Sequence, residues 1–353
     1  MHAFPCARCR APLRTRVHRS EHGGSTEGST EQPLAAAVPR KNLPRQPVRD
    51  PMPDRSRSDL LLVATLFTAC SEPTALAPTA PPELAITRPV AAPPAPDYQA
   101  HALALRAMLP HAGFALAIEP PFVVVAEGGE AVARRWATGT VRWAVQHLKA
   151  QYFERDPATI LDIWLFDGDA SYRRYSKQVF GDEPDTPYGY YSSRHGALIM
   201  NIATGGGTLV HEIVHPFVAA NFPGCPAWLN EGLGSLYEQS AERDGRIVGL
   251  TNWRLDGLQA AIRERRTMAI AELLATSDAE FYGAGSGLHY AEARYLLYWL
   301  QEHGQLQRFW QAFGSTRTTD PTGLLALQQS LGTDDLAAFQ AQWEQWLLTL
   351  QRE

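Results

Sequence analysis

His211-Glu212-Ile213-Val214-His215, set between Leu209-Val210 and Pro216-Phe217, is the stretch on which the reading of this chain turns. On a helix, positions four apart share a face, so both imidazoles can present a nitrogen to one point. Glu212 sits one residue on, about 100° further round, beside the open side of that point. Leu209, Val210, Ile213 and Val214 predict a buried helix, and burial strengthens electrostatics by excluding water. Two ordinary histidines on a helix give the same five-residue pattern, so its weight rests on its surroundings. Pro216 removes one intrahelical hydrogen bond and predicts a bend.

Downstream, residues 226–238 read Pro-Ala-Trp228-Leu-Asn230-Glu231-Gly-Leu-Gly-Ser-Leu-Tyr-Glu238, with 15 residues between His215 and Glu231. Two histidines and one glutamate would make three protein donors and leave one position for water. Trp-Leu-Asn-Glu-Gly at a short interval after His-Glu-x-x-His resembles the third-ligand helix of gluzincins. It is similar to the membrane alanyl-type aminopeptidases and to bacterial peptidase-MA-like families. The resemblance implies a zincin-like fold and a zinc metallopeptidase holding one Zn2+ through His211, His215 and Glu231. It makes Glu212 the general base on an activated water. It also implies an edge strand ahead of the metal helix that pairs with substrate backbone, and Gly196-Ala-Leu-Ile-Met-Asn201-Ile202 fits that place. The resembled aminopeptidases carry a glutamate in that strand to hold a free amine. None stands here, and the interval to Glu231 is shorter than theirs, so endopeptidase action is the expectation.

In gluzincins a Tyr or His from a later helix often donates to the oxyanion. Tyr290 lies 59 positions after Glu231, close to the tyrosine spacing of the resembled aminopeptidases, and is the candidate, with His289 as the alternative. Arg294 suits a substrate carboxylate or, more simply, a surface salt bridge. Asn230 and Glu238 suit either orientation of the ligands or ordinary capping and packing. Thr208 suits an N-cap of the metal helix, and the preceding Gly205, Gly206 and Gly207 permit positive φ or close approach. Cys225 reads as a small core residue and Trp228 as a hydrophobic anchor.

Residues 121–126 and 159–166 read as strands, and Gly189 to Ser193 with Ala197 to Ile202 as a hairpin. Residues 130–152 carry Val132, Trp136, Val141, Val145, Leu148 and Tyr152 at helical spacing. Asp169 suits the cap of a helix reaching about Val179. Beyond the motif, helical spacing recurs over 228–242, 252–265, 269–276, 290–303, 305–313, 321–331 and 334–351. Residues 98–353 therefore read as one α+β unit. A small mixed β-sheet and the site helix are followed by a mostly helical C-terminal part.

The first hundred residues have another character. Residues 1–51 are rich in Arg, Pro, Ser and Gly without an apolar period, a composition of disorder. Met52 opens a segment with two arginines and the apolar run Leu60 to Ala69. That run is too short to span a bilayer and suits a secretory h-region. It ends Leu66-Phe-Thr-Ala-Cys70-Ser71, which resembles a bacterial lipobox with Cys70 lipidated. The resemblance implies anchoring in the cell envelope, on the periplasmic face of the outer membrane. The expectation is that translation starts at Met52, that 52–70 is a signal and that 71–97, rich in Pro and Ala, is a semi-rigid spacer.

Of the chain's 32 Lys+Arg and 37 Asp+Glu, residues 1–70 hold 11 and 6, so residues 71–353 carry 21 and 31. An acidic folded part excludes phosphate neutralisation as a mode of binding nucleic acid. The four cysteines make no disulfide framework, and Cys6-x-x-Cys9 lacks the second pair of a zinc ribbon. A peptide or protein substrate is the expected partner. Two alternatives stay open: a zinc-containing envelope module without catalysis, and a hydrolase of non-peptide amides.

Overall fold

A computed structural model describes residues 96–184 and 186–352. The segments 1–51 and 52–70, Cys70 with the lipid anchor expected there, and nearly all of the expected 71–97 spacer lie outside the described residues. The described residues all fall in one compact unit.

The chain enters through α1 (Tyr98–Arg106), β1 (Phe114–Glu119) and β2 (Phe122–Glu127). Helix α2 (Glu130–Trp136) widens through a π turn, Ala137–Val141, into α3 (Arg142–Gln151). Next come β3 (Leu161–Phe166), α4 (Asp169–Tyr175) with a second π turn over Ser176–Phe180, β4 (Gly189–Ser192) and β5 (Ala197–Asn201). The five strands order β1-β2-β3-β5-β4, with β2–β3 and β3–β5 parallel and both outer pairs antiparallel.

The inner strands show why the sheet forms. Val123 to Val125, Ile163 to Phe166 and Ala197 to Met200 are buried without a break, as strands covered on both faces must be. Alternate residues serve two cores. Phe122, Val124, Ile163, Leu165, Leu198 and Met200 pack with α3 and the site helix. Val123, Val125, Trp164, Phe166 and Ile199 pack with α1 and α4. At about 25 cal/mol per Å2 of apolar surface, the sheet is stabilised from both sides.

A 3-10 turn, Ile202–Thr204, leads into α5 (Gly206–Asn221), which runs on through Pro216, and then α6 (Ala227–Leu236). The hairpin β6 (Ser240–Arg243) and β7 (Arg246–Gly249) follows. The rest is helical: α7 (Arg254–Arg263), α8 (Ile270–Ala275), α9 (Asp278–Phe281), α10 (Ser286–Glu302), α11 (Leu306–Thr316), α12 (Leu324–Leu331) and α13 (Leu336–Thr349). The described residues are thus a mixed α+β architecture, a small sheet followed by many helices.

Four expectations are corrected. The strand of Gly196–Ile202 is not at the edge, because β5 pairs with β3 on one side and β4 on the other; the sheet edge toward the site is β4. The helix over 228–242 stops at Leu236, and the chain folds back through Asp244 (φ 53°) and Gly245 (φ 74°), the left-handed pair of a tight hairpin. Gly168, not Asp169, stands at the N-cap of α4, and Gly205, not Thr208, at that of α5. Asp169 instead lies in the first turn, where a negative charge meets the positive end of the helix.

Candidate metal centre

Helices α5 and α6 pack face to face and carry the site between them. Their approach depends on missing side chains. A Cβ on Gly207 would stand 1.8 Å from the Glu238 carbonyl oxygen, and one on Gly234 would stand 3.1 Å from the His211 ring. Trp228 locks α6 from behind. It is fully buried, donates from Nε1 to the Thr322 carbonyl at 3.0 Å and stacks on Phe313.

The donors converge across this interface. His211 Nε2 donates to Glu231 Oε2 at 3.2 Å, and His215 Nε2 lies 3.7 Å from the same oxygen. The outer nitrogens are engaged elsewhere. His215 Nδ1 donates to Asn230 Oδ1 at 3.0 Å, which turns Nε2 toward Glu231. His211 Nδ1 faces Glu238 Oε1 at 3.4 Å without hydrogen-bond geometry. Glu238 is itself held by Arg254 at 2.7 and 2.9 Å and by Asn252 at 3.1 Å. Glu231 Oε1 accepts from the Tyr282 hydroxyl at 2.7 Å.

These residues fit a metal ion. Two atoms each about 2.0–2.1 Å from a tetrahedral zinc stand about 3.3 Å apart, and the distances of 3.2 and 3.7 Å bracket that value. A proton now joins the His211 nitrogen to the Glu231 oxygen, and a divalent cation is the other species that joins such a pair. Donor atoms of His211, Glu212 and His215 also lie within 4.8 Å of one another, so two carboxylates reach the point. Glu231 is the better ligand of the two, being buried and close to both imidazoles. Glu212 is half-buried and lines the open cleft.

Electrostatics agree with a cation at this point. Burial pushes the Glu231 carboxyl up, but the His211 hydrogen bond and the charge of His215 bring it down to about 2. Burial likewise works against Glu238, and Arg254 and His211 hold it at about 2. For His211, burial lowers the pKa, yet the bond to Glu231 and the nearby carboxylates of Glu238 and Glu212 raise it to about 10. Ionised carboxylates therefore surround His211, and in the metal-free protein a proton supplies the balancing charge.

The cleft beside Glu212 has a volume of about 310 Å3 and is walled by Thr186, Tyr188, Thr208, Trp253, Arg254 and Tyr290, among others. The Tyr290 ring lies nearly parallel to that of His211, 6.5 Å away. Burial and the charge of Glu231 push its phenol well up, and Tyr282 responds in the same way, so both keep their protons as donors. His289 is not brought to this point; its Nδ1 donates to the Phe281 carbonyl at 3.0 Å. Arg294 is neither at the cleft nor on the surface. It is fully buried and donates to the carbonyls of Ser235 and Leu250, closing the C-terminal end of α6. Cys225 is a half-buried free thiol.

Sequence reasoning missed Tyr282 and Arg254. Tyr282 follows α9, a four-residue helix too short for a period to show, although its capping box Ser277-x-x-Glu280 was readable. No signal in the sequence ties Arg254 to Glu238 across the β6–β7 hairpin.

No protein-family model matches the chain, and no curated protein matches it.

Proposed function

We propose that this chain is a zinc-dependent metallopeptidase with a zincin-like, gluzincin-type arrangement, an endopeptidase held in the bacterial cell envelope by a lipid at Cys70. The observation that carries the reading is the convergence of His211 Nε2 and His215 Nε2 on Glu231 Oε2, with Asn230 and Glu238 behind the imidazoles. His211, His215 and Glu231 would hold the zinc, which when bound would supply Lewis acidity and lower the pKa of a water.

The chain's own groups do the rest. Glu212 lines the cleft beside His211; it takes the proton of the attacking water and passes it to the leaving amine. Tyr290, protonated and on the cleft wall, donates to the oxyanion developing on the substrate carbonyl. Asn230 and Glu238 fix the orientation of the imidazoles, so little reorganisation accompanies reaction. The free edge of β4 offers backbone groups to an extended peptide. An intact general base supports catalysis over binding alone, since a binding module has no use for one.

Metal analysis tests the reading. Wild type is expected to carry about one zinc and Glu231→Ala much less, while Glu212→Gln keeps its zinc and loses cleavage of a peptide library. Equal zinc in wild type and Glu231→Ala would remove Glu231 from the site and the reading with it.

A further inference from the structure

A second cavity, of about 600 Å3, opens on the other side of His215. Glu212, Pro216, Ala219 and Ala220 recur at helical spacing on one face of α5; Glu212 lines the first cavity, and His215, Pro216, Ala219 and Ala220 line the second. Pro157, Ala158 and Leu161 form the opposite wall, and Tyr191 of β4 closes over the end. The two charged residues at the rim are already engaged. Asp156 accepts from Lys149 at 2.5 Å, and Arg155 donates to the Asn221 carbonyl at 3.3 Å. Thr159, His215 and Asn230 are the cavity's other polar members and the remaining walls are hydrocarbon, whereas the cleft on the Glu212 side sets Thr186, Thr208, Glu238 and Arg254 among the rings of Tyr188, Trp253 and Tyr290.

Strand β4 sets the direction. It begins at the polar cleft, where Tyr188 and Gly189 sit, and reaches the apolar cavity with Tyr191. An added strand pairs somewhat better antiparallel than parallel. A peptide so paired places its N-terminal part beside Tyr191 and its C-terminal part beside Tyr188. The side chain entering the apolar cavity thus belongs to the half of the substrate before the bond cut.

Resting on the peptidase reading above, we infer that the cavity of Tyr191, Leu161, Pro216 and Ala219 selects a large apolar side chain on the N-terminal side of the scissile bond. The polar cleft on the Glu212 side imposes no apolar requirement after it. Transfer of a Leu or Phe side chain into such a space is favourable, whereas a charged side chain would give up hydration to enter it.

The test is a denatured-proteome peptide library treated with zinc-loaded protein, cleavage positions being read by mass spectrometry. Leu, Met or Phe is expected at least about tenfold over Asp or Ser in the position before the bond, with no comparable apolar enrichment after it. Ala219→Trp fills the cavity from an exposed position and should move the preference to Gly and Ala. Tyr191→Ala removes the closing wall and should flatten it, so the inference stays open to test if either variant folds poorly. Calorimetric binding of a Leu and a Ser peptide to Glu212→Gln should rank them in the same order. Cleavage with no preference before the bond, or an unchanged preference in both variants, overturns the pocket and leaves the peptidase reading standing. No cleavage by wild type above the Glu212→Gln background overturns that reading and the pocket together.

Discussion

Two regions of this molecule handle their buried carboxylates in opposite ways. Around the candidate metal centre, Glu231 and Glu238 are ionised, and each oxygen has a partner: imidazole, phenol, guanidinium or amide. Two residues past Tyr290 on α10, Glu292 is buried just as deeply, accepts one bond from the Met268 N–H at 2.6 Å, and its other oxygen has no partner among the described residues. Burial raises its pKa to about 7, and Glu344 on α13 adds to the effect. The contrast teaches where charge is wanted. Cations and donors are gathered where a divalent ion would sit, and where none would sit the carboxyl is left to neutralise itself.

The largest expected effect comes from breaking the charged side of this comparison. Glu238→Ala removes the acceptor of Arg254 and Asn252 and leaves a largely buried guanidinium unpaired. A loss of about 4 kcal/mol is expected in denaturant unfolding of the metal-free protein. A loss below about 1 kcal/mol would mean that Arg254 finds water, and that the network around His211 is not a buried one.

Glu292→Gln tests the neutral side and gives a smaller, pH-dependent effect. Between the unfolded value of 4.5 and the folded value of about 7, the folded state binds more protons than the unfolded one. Stability from this group is therefore full below about pH 4.5 and falls as pH rises through 7. The deficit above pH 8 is on the order of 3 kcal/mol at most. Gln mimics the protonated acid, so the variant should match wild type near pH 4.5 and exceed it near pH 8, read as the difference of two unfolding curves. A constant difference across that range would show that Glu292 stays ionised.

How much of this could be read from the sequence differs by element in the same physical way. Long apolar periods gave β2, β3, the α2–α3 helix, α7 and the C-terminal helices, because burial on a fixed period leaves a repeating trace. The hairpin β6–β7 was lost because residues 237–242 continue a helical spacing, while Asp244-Gly245, which ends it, is only two residues long. Strand β1, with its half-buried middle, gave no clean alternation. The edge position of β4 was unreadable in principle, since strand order is set by crossovers and not by local pattern. At the centre, His211, Glu212, His215 and Glu231 stood out because helix geometry converts their spacing into direction. The partners of Glu238 come together only through tertiary packing.

The smallest of these effects separates the two tyrosines. Glu231 turns Oε2 to the imidazoles and Oε1 to Tyr282, so the Tyr282 hydroxyl fixes which oxygen faces the metal point. Tyr290 stands beside His211 on the cleft wall, where a substrate carbonyl would lie. If Tyr282 positions the ligand and Tyr290 serves the reaction, their Phe variants should diverge. Tyr282→Phe should weaken zinc binding by about tenfold, the low end for an outer partner of a ligand, because Tyr282 is half-exposed and water can replace it. Tyr290→Phe should leave zinc affinity within about twofold and instead lower kcat by about a hundredfold with KM little changed, as removal of an oxyanion donor does. Zinc affinity measured by chelator competition, alongside kcat on one cleaved peptide, reads both. The opposite pattern, with zinc affinity lost in Tyr290→Phe and kcat lost in Tyr282→Phe, would exchange their roles and assign the oxyanion to the residue that follows α9.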